Sequence, residues 1–117
     1  MIVPIQLRQP EDEPTAQFQP RAEAALQVLA ERPGYRGGSL SRALDDEQAW
    51  LLLTEWDSVG AYRRALGSHQ VKLIATPVLG LALDQPSAFE PLFRVAADGG
   101  QQRGRSDRAA DADWAGR

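Results

Sequence analysis

Trp50-Leu51-Leu52-Leu53-Thr54-Glu55-Trp56-Asp57-Ser58 is the stretch around which the chain is organised. The run from Trp50 to Trp56 is too short for an ordinary helix and carries two large aromatics. A charged turn precedes it and Asp57-Ser58 follows, so it reads as a β-strand. A strand covered on one face alternates apolar with polar residues. Here Trp50, Leu52 and Trp56 point one way while Leu51 and Leu53 point the other, so both faces have to be covered. In a small domain with helices enough for one face, the simplest cover for the other is a second copy of the chain, and a homodimer is expected.

Upstream, Tyr35 to Leu44 reads as a strand closed by the turn Asp45-Asp46-Glu47, so that Ala49 to Trp56 pairs back on it as a hairpin. Gly37-Gly38 inside that strand marks a bulge or a close approach of backbone to another group. Arg32-Pro33-Gly34 ends a helix placed at about 20 to 31, with an earlier turn from Thr15 allowed. Phe18, Ala22, Ala25, Leu26 and Leu29 supply its helical spacing. Ile2 to Arg8 suits a first strand disturbed by Pro4. Downstream, Asp57-Ser58 caps a second helix that Gly67 stops, and Ser68 caps a short one closed by Pro77. Ala88 to Val95 reads as the last strand. The order strand, helix, strand, strand, helix, strand predicts an α+β, ferredoxin-like βαββαβ domain: a four-stranded antiparallel sheet with helices on one face.

The 117 residues suffice for one domain, and 43% apolar with 25% charged is ordinary globular composition. That domain is placed at residues 1–97. Residues 98–117 balance Asp against Arg with Trp114 as their only large apolar group, and read as a disordered C-terminal tail. A net charge of -3 with scattered Lys and Arg argues against nucleic acid or an anionic membrane as partner. With no cysteine there is no disulfide, thiolate metal site or Cys nucleophile. No segment resembles a secretory leader or a membrane span, so a cytoplasmic protein is expected.

Arg32-Pro33-Gly34-Tyr35-Arg36-Gly37-Gly38 leads to Leu52-Leu53-Thr54-Glu55-Trp56-Asp57-Ser58-Val59-Gly60-Ala61-Tyr62. Together these resemble the antibiotic biosynthesis monooxygenase family over about residues 2–95. The shared features are a Pro-Gly-aromatic-x-Gly turn after the first helix and a strand closing on Glu-Trp-Asp-Ser-x-x-Ala-Tyr. The resemblance implies a homodimer in which two sheets face each other as an α+β barrel, in agreement with the two-sided strand. It also implies a range of chemistries: cofactor-independent oxidation of polyketide phenols, oxygen-dependent haem degradation, and members with no known reaction. Carried from the shared Trp56, the Asn, Trp and His of the haem-degrading branch fall on Gln6, Ala65 and Ile74, and those mismatches argue against haem degradation.

Among candidate site residues, His69 is the only histidine. At a helix start it would be a neutral imidazole able to act as base toward a phenol, or else a solvent-facing residue. Tyr62, one turn past Ser58, could orient an aromatic substrate through its phenol or pack in the core. Trp50 and Trp56 could line a pocket for an aromatic molecule, and equally suit plain core. Arg63-Arg64 could draw in an anionic substrate or form a solvated face. No nucleophile elbow, phosphate loop or dinucleotide fingerprint is present. The reading is a dimeric monooxygenase acting with O2 and no bound cofactor or metal on a small aromatic or polyketide-like molecule, Tyr62 and His69 being catalytic and Trp50 and Trp56 lining the pocket. The alternatives are a cofactor-free cyclase or isomerase, or a small-molecule-binding dimer without catalysis.

Overall fold

A computed structural model of the protein describes residues 1–104. Strands β1 (Ile2–Arg8), β2 (Tyr35–Arg42) and β3 (Ala49–Trp56) form an antiparallel sheet in the order β1-β3-β2. β3 is its centre and its burial alternates strictly. Trp50, Leu52, Thr54 and Trp56 are buried, while Ala49, Leu51, Leu53 and Glu55 on the opposite face are half-buried. Val3, Ile5 and Leu7 of β1 lie on the buried side too, because the register sets Ile5 against Leu52 and Leu7 against Trp50.

Helix α1 (Thr15–Ala30) covers that side with Phe18, Ala22, Ala25, Val28 and Leu29. It starts earlier than the sequence suggests, with Pro14 at its N-cap and Pro20 inside. Pro20 is exposed, so the carbonyl its missing N–H leaves free faces water. Gly34 has φ +92, and a side chain there would collide with Ala61; this glycine turns the chain from α1 into β2. The expected bulge in β2 is present as a register shift between Tyr35 and Gly37, and a Cβ on Gly38 would meet the Leu53 carbonyl and the Tyr35 hydroxyl. The glycine pair thus serves close packing inside the hairpin.

Ser58 Oγ accepts from the Ala61 N–H at 3.1 Å and starts α2 (Val59–Leu66), and Ser68 Oγ accepts from the Val71 N–H at 3.2 Å and starts α3 (His69–Ile74). Pro77 does not close that helix as expected. It sits in the first turn of a further one, α4 (Thr76–Leu79), where a missing N–H costs nothing. Ala61, Ala65, Val71, Ala75 and Val78 complete the core.

The last part of the chain departs most from expectation. Among the described residues the regular sheet has three strands, and its fourth place, beside β1, is held by the irregular segment 81–89. That segment touches β1 only at the bridges Leu7–Ala82 and Ile2–Phe89. Asp84-Gln85-Pro86-Ser87 bows out between the bridges, since Pro86 brings no N–H and a turn sequence does not follow a ladder. The expected strand over Ala88 to Val95 is therefore broken. Phe93–Val95 (β4) pairs instead with Gln101–Arg103 (β5) in a separate hairpin, tied to the sheet by Arg94 to Glu55 at 3.1 Å. β5 falls within residues 98–117, the segment expected as a tail, and residues 105–117, with Trp114, lie outside the described residues. The architecture is α+β and ferredoxin-like, with helices on one face. Among the described residues no helix is long and apolar enough to cross a membrane.

Candidate functional site

The chemistry-bearing aromatics gather where β3 runs into α2. Trp56, the last residue of β3, is 1% exposed, and its indole N–H donates to Thr54 Oγ1 at 2.9 Å. Tyr35 stands edge-on to it with ring centroids 5.5 Å apart, and Tyr62 tilts over it at 5.6 Å. Tyr62 is half-buried, and burial pushes its phenol above the ordinary value; Tyr35 shifts in the same direction for the same reason. A phenol so held keeps its proton at neutral pH. Tyr62 can therefore donate a hydrogen bond to a substrate oxygen and cannot serve as the base.

Trp50 is placed apart from this cluster, at the far end of β3. Its ring packs on Phe18 at 5.3 Å under the Arg42 guanidinium at 5.5 Å, and its N–H donates to Gln9 Oε1 at 3.0 Å. Gln9, 5% exposed, in turn donates to the Glu13 carbonyl at 2.8 Å. This buried amide ties Trp50 to the start of α1 and makes it a core residue. One edge of Trp50 reaches a cleft of about 380 Å³ shared with Gln6, Ser41, Leu44 and Leu51. His69 is exposed at the first position of α3. The four expected site residues thus separate: Trp56 and Tyr62 are joined, Trp50 stands at the opposite end of its strand, and His69 faces solvent. Trp56 is sealed in the core and lines none of the clefts described here, because Tyr35, Tyr62 and Thr54 enclose it.

Two more clefts flank segment 81–89. One, about 210 Å³, opens on the uncovered face of the sheet between Pro4, Gln6, Leu83, Pro86 and Phe89. The other, about 890 Å³, lies between the first turn of α2 and residues 88–90, with Ser58, Val59, Gly60 and Arg63 on one wall and Ala88, Phe89 and Glu90 on the other.

The sequence profile of the antibiotic biosynthesis monooxygenase family matches residues 1–76, well over half the chain. The chain belongs to that family. Solved structures share its fold. A variant of SnoaB, a cofactor-independent oxygenase from Streptomyces nogalater, superposes with TM-score 0.62 at 21% identity, covering 70% of this chain and 82% of that one. A conserved protein from Methanosarcina mazei gives 0.60 at 17% identity, over 74% and 84%. Rv0793 from Mycobacterium tuberculosis gives 0.58 at 21% identity, over 74% and 86%. At these identities the likeness establishes the fold. Among curated proteins none matches this chain.

Within this family member, Tyr35, Gln9 and Phe89 escaped the sequence reading as site or support residues. Tyr35 was legible in principle, since a strand that pairs with β3 must bring it beside Trp56. Gln9 carries no sequence signal, because its role depends on an indole 41 residues away.

Proposed function

We propose that this family member is a cofactor-independent monooxygenase that oxidises a small aromatic or polyketide-like phenol with O2, working as a homodimer. The observation that carries this reading is the half-buried Tyr62 phenol, kept protonated against the Trp56 ring at the start of α2. A neutral donor in an apolar setting stabilises a phenolate oxygen as the charge forms, an effect worth about 10²–10³ in rate where such donors have been removed. His69, the only imidazole, is the proposed proton acceptor. The phenolate carbon then gives an electron pair to O2 to form a C–O bond and, with a proton, a hydroperoxide. Breaking its O–O bond with loss of water leaves the quinone carbonyl, so one O2 yields one inserted oxygen and one water. Dimerisation through Ile2, Pro4, Leu51 and Leu53 would cover the open sheet face and exclude water from that side. The test is Tyr62→Phe in an oxygen-uptake assay with an anthrone. A fall in kcat of roughly 10² with KM little changed is expected, and an unchanged kcat would remove Tyr62 from the mechanism.

A second reading, binding without oxidation or a cyclase or isomerase reaction on the same fold, is favoured by one observation. His69 is exposed, and among the described residues no hydrogen bond or ring contact links it to Tyr62 or Trp56.

A further inference from the structure

We propose that the cleft between the first turn of α2 and residues 88–90 binds an aromatic molecule bearing an anionic oxygen, with Phe89 as its apolar platform and Arg63 as its countercharge. This goes beyond the oxidation reading, since it concerns binding alone. At about 890 Å³ the cleft has the size of small-molecule sites, roughly 300–1,000 Å³.

Phe89 is a large aromatic left 45% exposed, yet its backbone is clamped to Ile2 by two reciprocal hydrogen bonds of 2.8 Å each. Phe89 is therefore held on a fixed sheet edge, where it lines the cleft together with Val59 and Gly60. An aromatic ligand would exchange solvent for this surface without having to order it first.

Arg63 supplies the polarity. Arg8, Arg21, Arg36 and Arg94 each have a carboxylate within ion-pair distance, whereas Arg63 has none among the described residues. Its neighbour Arg64 folds back over the same turn, where a Cβ on Gly60 would lie 3.2 Å from its Nη1. Arg63 lines one wall of the cleft while Glu90 stands on the other. A ligand's anionic end is attracted to the Arg63 side of the cleft. Guanidinium also matches a carboxylate by paired N–H donors, which a point charge does not.

The experiment titrates the full-length protein with 2-naphthoate and with 2-naphthalenemethanol, its neutral analogue, by calorimetry at neutral pH, and maps amide shifts by NMR. 2-Naphthoate should bind about tenfold tighter than the alcohol, as one charge-assisted hydrogen-bond pair in a partly dry cleft implies. Arg63→Gln should erase that preference, Arg64→Gln should retain most of it, and the shifts should centre on Val59, Gly60 and Phe89. Phe89→Leu, which keeps bulk at the sheet edge but removes the ring face, should weaken both probes alike. Equal affinity for the two probes, a preference that survives Arg63→Gln, or shifts centred elsewhere would overturn the proposal. 2-Naphthoate has no phenol to oxidise, so the titration is blind to catalysis. If it succeeds while the anthrone assay fails, the site stands and the oxidation reading falls.

Discussion

The hydrogen bond from the Trp56 indole to Thr54 Oγ1 makes the effect of one substitution change sign with its background. Both residues are almost fully buried, and the bond is 2.9 Å long. Trp56→Phe removes the nitrogen-bearing part of the indole, costing about 2–3 kcal/mol in lost packing. It also strands the Thr54 hydroxyl in an apolar interior, about 1–3 kcal/mol more. The sum, roughly 3–6 kcal/mol, lies toward the low end of the ~5–15 kcal/mol of a domain this size, so the variant should still fold. Thr54→Val in the native background strands the indole N–H instead and should destabilise by about 1–3 kcal/mol. In the Trp56→Phe background the same change removes the stranded hydroxyl and adds a methyl group, so it should stabilise by about 1–2 kcal/mol. Urea unfolding of the four proteins, followed by far-UV circular dichroism at one fixed protein concentration, measures all four corners of the cycle. Equal effects of Thr54→Val in the two backgrounds would refute the reasoning and mean that the bond carries no coupling.

Two further outcomes test other parts of the account. Leu53→Glu puts a charge on the half-buried open face, beside Pro4 and Ser39, and should convert a micromolar dimer to monomer in light scattering; an unaffected dimer would show that another surface joins the copies. Burial raises the Tyr62 and Tyr35 phenols, so their contribution to stability is fully present below their unfolded value near 10 and is lost as pH rises through the folded one. Melting temperature should hold level from about pH 7 to 9 and fall above about pH 10, less steeply for Tyr62→Phe, and identical alkaline slopes would contradict this.

The parts of the fold legible in sequence were those set by local rules. The double-sided apolar run at Trp50 to Trp56, the serine caps at 58 and 68 and the glycine pair at 37 and 38 each fix a nearby backbone state, and each is found in place. The final strand was misread because Phe89, Phe93 and Val95 look alike by composition. What separates them is whether β1 or β5 offers a free backbone edge, which is a tertiary fact. The site was legible only in part for a similar reason. Tyr62 against Trp56 follows from one helical turn after a strand end, but the α2 cleft exists only because residues 88–90 return to the sheet edge beside it. His69 shows the limit of a residue-type argument, since a lone histidine at a helix start carries no information about which way it faces.

The central claim is that this chain oxidises a phenol by itself. Oxygen uptake by the extensively dialysed, full-length protein with an anthrone, in the presence of a metal chelator and catalase, tests it most directly. The account predicts saturable uptake of one O2 per quinone formed, unaffected by chelator and with no oxygen returned by catalase. Uptake no faster than the uncatalysed reaction, or uptake that requires an added flavin, haem or metal, would contradict it.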